Sequence, residues 1–209
     1  MPDGVRLVAV SKFHPVEELM AAYDAGQRIF GESHVQELQR KVTEMPTDVA
    51  WHFIGHLQTN KVKYLAPYIS MIHAVDSMKL LQEIDRQAAK NNRVIDVLLE
   101  LHIAEEATKY GFSPDDCREL LSESAWRDLK NVRICGLMMM ATYTDDTAQI
   151  RREMETAQRL FDEFKTEFFA DDEYFKERSW GMSHDYPIAV ETGATLVRIG
   201  TTIFGERNY

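Results

Sequence analysis

The stretch VRLVAVSKFHPVEELMAAYDAGQRIFG, residues 5–31, contains the unit from which the whole chain is built. Its first six residues, VRLVAV, are mostly apolar and rich in β-branched valine, which predicts a buried strand. A helix is predicted over residues 15–26, because Pro15 suits a first helical turn and Gly26 suits a helix end. The run RIFG at residues 28–31 then predicts the next strand.

The same alternation of short apolar runs and amphipathic stretches continues along the rest of the chain. Seven helices are predicted, over residues 15–26, 34–45, 59–68, 77–92, 113–124, 146–169 and 186–193. Eight strands are predicted, over residues 5–10, 28–31, 51–54, 70–75, 94–103, 132–138, 178–182 and 195–200. Strict alternation favours a parallel sheet with helical crossovers. Eight such units in 209 residues predict one α/β domain, residues 1–209, with the (β/α)8 TIM-barrel fold; an open doubly wound sheet is the alternative.

Charge and composition exclude several classes of function. The net charge of −10 argues against a nucleic-acid partner, because phosphate contacts need clusters of lysine and arginine. No apolar run approaches the roughly 20 residues that a membrane-spanning helix needs. No secretory signal precedes Val5, so we expect a cytoplasmic protein with no membrane partner. The two cysteines, Cys117 and Cys135, lack the spacing of a zinc site and are expected to be reduced, buried thiols.

Polar residues follow most of the predicted strands, at the end of a barrel where active sites lie. Lys12 follows the first strand, and Arg198 lies near the end of the eighth. The loops after strands seven and eight, the usual phosphate site of such barrels, contain GMS at 181–183 and GTT at 200–202. Glycine lets backbone N–H groups approach an anion, and hydroxyl groups add donors. The other polar residues at strand ends are Glu32, Ser33, His34, His56, Gln58, Asp76 and His184.

Lys12 and Arg198 suggest which cofactor such a site would take. A lysine buried near another cation loses its proton more readily, and its free amine attacks carbonyl groups. A lysine, an arginine and a phosphate site together suggest pyridoxal 5′-phosphate held as a Schiff base on Lys12. An arginine facing the pyridine nitrogen would keep that nitrogen unprotonated, which makes the ring a poorer electron sink. The simpler alternatives are a surface lysine at position 12, and an ion pair of Arg198 with Glu32, Glu191 or Glu206.

Two other constellations have less support. Ser183, His184 and Asp185 are consecutive, and consecutive residues rarely converge as a catalytic triad. His52 and His56 have the i, i+4 spacing of a helical metal site. They lie across a strand end instead, without the accompanying glutamate, so no metal site is expected.

Eight motifs together resemble the pyridoxal phosphate homeostasis protein family. They extend from Leu7 to Tyr209 and are LVAVSK, AGQRIFGE, WHFIGHLQTNK, HAVDS, KYGF, GLM, GMSHDY and GATLVRIGTTIFGERNY. WHFIGHLQTNK and VRIGTTIFGERNY are highly specific in combination. The resemblance implies a single barrel of the alanine racemase N-terminal domain type that binds pyridoxal phosphate.

The resemblance also implies roles for individual residues. Lys12 of AVSK would be the Schiff-base lysine, and Arg198 of VRIG would face the pyridine nitrogen. Ser183, Gly200 and Thr201 would hold the phosphate, and His56 and Met182 would line the ring. None of these residues is implied to be catalytic.

The sequence departs from the family pattern at three places. Ser33 stands where the family commonly has asparagine, and its shorter side chain is expected to reach the cofactor ring less well. Trp180 stands where members often have methionine, and its indole is expected to alter the packing behind strand seven. Members usually carry a helix before the first strand, whereas this sequence starts almost at that strand.

The function implied by the resemblance is intracellular pyridoxal phosphate homeostasis, in which the protein buffers the cofactor and passes it to apoenzymes without dedicated catalysis. The alternative is a pyridoxal-phosphate-dependent amino-acid racemase or another weak amino-acid enzyme. A two-base racemase needs a second proton carrier on the opposite ring face, which alanine racemases take from an additional domain of the partner subunit. In this chain, Tyr143 and Tyr209 are the candidates for that carrier. Without that domain one dimer interface is lost, so a monomer is expected.

Overall fold

The centre of the molecule is a closed barrel of eight parallel strands, in a computed structural model that describes residues 1–104, 110–123 and 125–205. The strands pair in chain order, and the last closes on the first through a register from Arg6 opposite Leu196 to Ala9 opposite Ile199. They are β1 (Arg6–Val10), β2 (Ile29–Glu32), β3 (Ala50–Phe53), β4 (Met71–Val75), β5 (Ile95–Leu101), β6 (Val132–Met139), β7 (Glu177–Ser179) and β8 (Leu196–Ile199). This closure confirms the predicted (β/α)8 fold and excludes the open doubly wound sheet.

Helices connect successive strands and pack on the outside of the barrel. They are α1 (Val16–Asp24), α2 (Val35–Glu44), α3 (Val62–Leu65), α4 (Met78–Lys90), α5 (Pro114–Ser122), α6 (Thr147–Phe168), α7 (Tyr186–Glu191) and α8 (Thr201–Phe204), with 3-10 turns at Thr59–Lys61 and Ala125–Asp128. The start of α4 is set by Ser77, whose hydroxyl accepts from the Leu80 amide at 3.3 Å. The start of α5 is set in the same way by Ser113, which accepts from the Asp116 amide at 3.1 Å.

Two elements differ from the sequence prediction because of local backbone chemistry. The predicted seventh strand extends to residue 182, whereas β7 ends at Ser179. Gly181 has a φ of +90°, which extended strand cannot adopt. The predicted helix at 59–68 is a 3-10 turn followed by α3, which ends at Leu65, just before Pro67. Pro67 has no N–H with which to continue the helical hydrogen bonds, although Ala66 before it keeps helical φ and ψ angles of −51° and −33°. The short α8 was missed.

The core has two layers, divided by the sheet. A larger layer between strands and helices includes Trp180, which is fully buried, so the structure accommodates the indole behind β7. A smaller layer fills the barrel interior with Val8, Met71, Ala74, Leu98, Cys135, Met138 and Leu196. Cys117 and Cys135 are both buried free thiols, as predicted, and burial raises the pKa of each to about 12. Among the described residues, no helix has the length and apolar character to cross a membrane.

Candidate functional site

A cavity of about 630 Å³ opens at the carboxyl ends of the barrel strands. That volume lies within the range of about 300–1,000 Å³ that is usual for small-molecule sites. Its lining is Val10, Lys12, Ser33, Ile54, Met140, Tyr143, Met182, Ser183, His184, Arg198, Gly200 and Thr201. Seven of the eight residues that the sequence predicted for the cofactor site therefore lie around this one cavity; His56 is the exception.

Arg198 forms the inner wall of the cavity and is 4% exposed. Its Nη1 donates to the backbone oxygen and to Oγ of Ser179, both at 2.7 Å, and its Nη2 donates to the Met139 carbonyl at 2.9 Å. These bonds use three of the five guanidinium protons and fix the plane of the group. Burial lowers the pKa of Arg198 to about 10, so it remains a cation at neutral pH.

The sequence also left open a direct ion pair between Arg198 and a glutamate. Among the described residues, two of the candidate glutamates pair with other cations instead. Glu32 pairs with Lys41, and Glu191 pairs with Arg151. Glu206 lies outside the described residues. Arg198 is instead held by a hydroxyl and two carbonyl groups, which leaves its positive charge available to the cavity.

Behind Arg198, a chain of hydrogen bonds crosses the barrel interior. Oγ of Ser179 lies 2.9 Å from Nδ1 of His73, and Nε2 of His73 lies 2.8 Å from Nδ1 of His52. Each of these two bonds has one donor and one acceptor if Ser179 donates to His73 and His73 donates to His52. Burial lowers the pKa of His52 to about 3 and the pKa of His73 well below its usual value. Both rings are therefore neutral.

On the same side of the barrel as Arg198, the loops after β7 and β8 lie side by side, and the Arg198 amide donates to the Gly181 carbonyl at 2.9 Å. The Gly200 amide donates to Oγ of Ser183 at 3.2 Å. Gly181 lets the loop after β7 pack closely on α7, because a Cβ there would lie 2.5 Å from Cβ of Ala189 and the residue has a positive φ. The Met182 amide donates to Oδ1 of Asp185 at 2.5 Å, which closes the 182–185 turn. The two loops thus bring the hydroxyl groups of Ser183 and Thr201 and the Gly200 amide to one part of the cavity. Hydroxyl and amide groups are the kinds of donor that an anion needs.

Lys12 follows β1, the strand that pairs with β8, and lines the same cavity. It is half-buried, between the buried Ser11 and the exposed Phe13. Lys12 is therefore neither fully exposed nor part of the core, and its role as a cofactor-binding or a surface lysine stays a prediction. Ser33, from the end of β2, and Met182 complete the walls that flank Lys12.

His56 lies outside the cavity lining, on an exposed part of the rim. Its Nδ1 is 3.3 Å from Oδ2 of Asp76, and its ring stacks on Tyr110 with centroids 3.8 Å apart. These contacts hold the imidazole at the mouth of the barrel, on the side of β3 and β4.

Neither of the two weaker constellations forms a reactive site. Nε2 of His184 is 3.4 Å from Oδ2 of Asp185. The Oγ of Ser183, however, accepts a hydrogen bond from the Gly200 amide. His52 is inside the barrel, whereas His56 is on its rim. In the parts of the chain that the structure describes, no three His, Cys, Asp or Glu side chains are grouped closely enough to hold a metal ion.

Sequence reasoning missed Lys41, which is fully buried beneath the Lys12 loop. Its Nζ donates to Oε1 of Glu32 at 2.6 Å, to Oε1 of Glu37 at 2.7 Å and to the Ser11 carbonyl at 2.7 Å. Burial raises the pKa of Glu32, and the charge of Lys41 opposes this effect. One signal was available: Lys41 continues the apolar stripe of α2 that Leu38 belongs to, three residues further along.

A second depression, of about 790 Å³, lies at the other end of the barrel near the start of β6. Trp126, Phe169 and Tyr174 line it together with arginines and carboxylates. Among its described lining residues there is no lysine, serine or threonine to match the first cavity. Of these two sites, the cavity at the carboxyl ends of the strands is therefore the one that combines a lysine with hydroxyl groups.

Comparison with known proteins agrees with this geometry. The alanine racemase N-terminal domain profile matches residues 1–208. A pyridoxal phosphate homeostasis protein of Aquifex aeolicus is 40% identical over 205 residues, which cover 98% of this chain and 88% of that protein. PipY of Synechococcus elongatus, solved without PLP, superposes with a TM-score of 0.91 at 36% identity, covering 98% of this chain and 94% of PipY. PipY with PLP bound superposes with a TM-score of 0.87 over the same shares of the two chains. The chain therefore belongs to the pyridoxal phosphate homeostasis protein family, and its barrel is of the alanine racemase N-terminal domain type.

Proposed function

We propose that this protein binds pyridoxal 5′-phosphate as a Schiff base on Lys12 and serves in pyridoxal phosphate homeostasis. Ser183, Gly200 and Thr201 hold the phosphate group in this proposal, and Arg198 faces the pyridine nitrogen. The observation that carries it is that Lys12, Arg198 and the Ser183–Gly200 contact lie around one cavity of about 630 Å³. The cofactor, when bound, supplies an aldehyde for the lysine and a ring that can withdraw electrons.

The residues present fit the chemistry of this cofactor. A phosphate needs N–H and O–H donors, and the adjoining β7 and β8 loops supply both. A pyridine nitrogen that meets a permanent cation remains an acceptor, and Arg198 has two guanidinium protons beyond those bonded to Ser179 and Met139. Ser33 and Met182 flank Lys12 and would contact the ring. His56, on the rim, would act only at the entrance.

The cellular part of the proposal is storage and delivery. Relatives across the family are named as homeostasis proteins, which supports a role without dedicated catalysis. We therefore propose that residues 1–209 act as a single cofactor-binding domain, monomeric and cytoplasmic, which passes the cofactor to apoenzymes. No membrane or nucleic acid takes part in this role.

A weak racemase activity is the second candidate, and one contact favours it. Tyr143 lines the same cavity as Lys12, and its ring meets His184 edge-on with centroids 5.2 Å apart. The phenol of Tyr143, which is 80% exposed, and the amine of Lys12 would be the two proton carriers. Tyr209, the other candidate from the sequence, lies outside the described residues.

The first experiment adds pyridoxal phosphate to the purified protein and records the visible absorption of the imine. Borohydride reduction and peptide mass mapping then locate the modified lysine. We expect the label on Lys12, no label in Lys12→Ala, and normal labelling in Lys90→Ala, because Lys90 is exposed at the end of α4. Equal labelling of surface lysines in the wild type and Lys12→Ala would refute the proposal.

A second experiment separates delivery from turnover. The loaded protein is mixed with an apoenzyme, and the rate of enzyme reactivation is compared with the rate given by free cofactor. Exchange of the α-proton of L- and D-alanine in D₂O is followed in parallel by NMR. Reactivation without exchange supports homeostasis; exchange that Tyr143→Phe abolishes supports the racemase.

A further inference from the structure

Lys12 is the second residue of a tight turn, and the residue after it has a strained backbone conformation. The His14 amide donates to the Ser11 carbonyl at 3.1 Å, which makes residues 11–14 a β-turn with Lys12 as its second residue. Phe13, the third residue, has a φ of +69°. A positive φ at this position is the mark of a type II turn, where glycine is preferred. A phenylalanine in this region is strained, because its Cβ crowds the backbone.

Buried charges hold this turn on both sides of Lys12. On one side, the Ser11 carbonyl accepts from Nζ of Lys41 at 2.7 Å, and Oγ of Ser11 donates to Glu32 at 2.7 Å. On the other side, the Phe13 amide donates to Oε1 of Glu37 at 2.7 Å. Lys41 joins the two halves, because it bonds both carboxylates. We call Lys41, Glu32 and Glu37 the Lys41 cluster.

Stability alone does not account for such a cluster. Taking a lysine and two carboxylates out of water costs free energy, and replacing buried ion pairs by apolar residues is often neutral or stabilising. Backbone strain and buried charge both persist where a particular geometry is required. Here the two neighbours of Lys12 are the strained Phe13 and the buried Ser11, and the charged groups form hydrogen bonds with both.

We propose that the Lys41 cluster is a positioning device that holds the Lys12 turn in its strained shape and thereby directs the Lys12 amine into the cavity. Glu37 fixes Phe13, Glu32 fixes Ser11, and Lys41 keeps the two carboxylates in place. None of the three touches the cofactor. The proposal rests on the proposed function of Lys12, and it assigns positioning roles that the motif resemblance did not include.

The main test is Glu37→Ala, which removes the Phe13 hydrogen bond but leaves the buried Lys41–Glu32 pair. Glu37 is only partly buried, so the variant is expected to fold. Its cofactor affinity should fall about tenfold, the equivalent of about 1.4 kcal/mol. Glu37→Gln keeps an acceptor oxygen and should retain most of the affinity. The control is Glu44→Ala, an exposed glutamate at the end of the same helix, which should bind as the wild type does.

A rescue experiment separates positioning from general damage. Glycine adopts a positive φ without strain, so Phe13→Gly makes the turn independent of its hydrogen bond. In the Phe13→Gly background, Glu37→Ala should change cofactor affinity less than threefold. A full tenfold loss in that background would overturn the proposal, as would Glu37→Ala binding within twofold of the wild type.

A third readout needs no cofactor. Amide hydrogen exchange at residues 11–14 of the cofactor-free protein should accelerate at least tenfold in Glu37→Ala and stay unchanged in Glu44→Ala. If borohydride fails to trap the cofactor on Lys12 of the wild type, the proposed function fails while exchange still tests the cluster. If trapping succeeds but exchange and affinity are unaffected by Glu37→Ala, only the positioning role is refuted.

Discussion

The neutral histidine pair in the barrel interior should make the protein sensitive to acid. His52 and His73 have folded pKa values far below 6.5, the reference value for an exposed histidine. Their contribution to stability is therefore complete above that value and is lost as pH falls towards the folded pKa. For one such histidine, the free energy of unfolding should fall by about 2 kcal/mol between pH 7 and pH 5. Two histidines give about 4 kcal/mol, a large part of the roughly 5–15 kcal/mol of a typical domain.

The perturbation that tests this is His52→Gln. The glutamine oxygen can accept the His73 Nε2 proton, so the chain to Ser179 is kept while one titrating group is removed. Urea unfolding is measured at intervals from pH 5 to pH 8. The loss of stability on going from pH 7 to pH 5 should be smaller in the variant by about 2 kcal/mol. An unchanged difference would show that His52 is protonated in the folded barrel, and the reasoning would be wrong.

Glu100 gives a prediction of opposite sign, because burial raises its pKa to about 7 from 4.5. The stability that comes from protonated Glu100 is present below pH 4.5 and is lost as pH rises through 7. Between pH 5 and pH 8, the free energy of unfolding of Glu100→Gln should therefore rise by about 2 kcal/mol relative to that of the wild type. Ser183→Ala should weaken cofactor binding by about ten- to a hundredfold in absorbance titrations, because one hydrogen bond to a charged phosphate group is lost. Gly181→Ala should destabilise the protein by roughly 2 kcal/mol in urea, because its Cβ would meet Ala189 at a positive φ.

A specific result would contradict each of these three predictions. A Glu100→Gln variant with the same pH profile as the wild type would mean that the carboxyl group is ionised throughout. Ser183→Ala with unchanged affinity would remove Ser183 from the phosphate site. A stable Gly181→Ala variant would show that the loop after β7 can shift, and that its geometry does not depend on glycine.

Sequence reasoning placed those candidate site residues whose position follows from the order of the strands along the chain. Lys12, Ser183 and Arg198 each follow or end a strand, and a parallel barrel brings every strand end to the same face. His56 also follows a strand but lies on the rim against Asp76 and Tyr110, and its contact with the cofactor ring stays a prediction. Chain order places a residue near the mouth of the barrel, but only packing decides whether its side chain turns inwards.

Contacts across the barrel were beyond sequence reasoning. His73 and Ser179 are 106 residues apart, and their hydrogen bond exists only because the sheet closes with one register. Lys41 was overlooked because lysine is usually exposed, and its burial depends on the simultaneous presence of Glu32, Glu37 and the Ser11 carbonyl.

By itself, the sequence determined the barrel and the set of groups at its mouth, because both follow from local periodicity and from strand order. Only the tertiary structure decided which of those groups share a cavity. It also decided which side chains hold Arg198 and the Lys12 turn, and which histidines remain neutral. Hydrogen bonds and pKa values depend on distance and burial, and these are set by closure and register of the whole sheet.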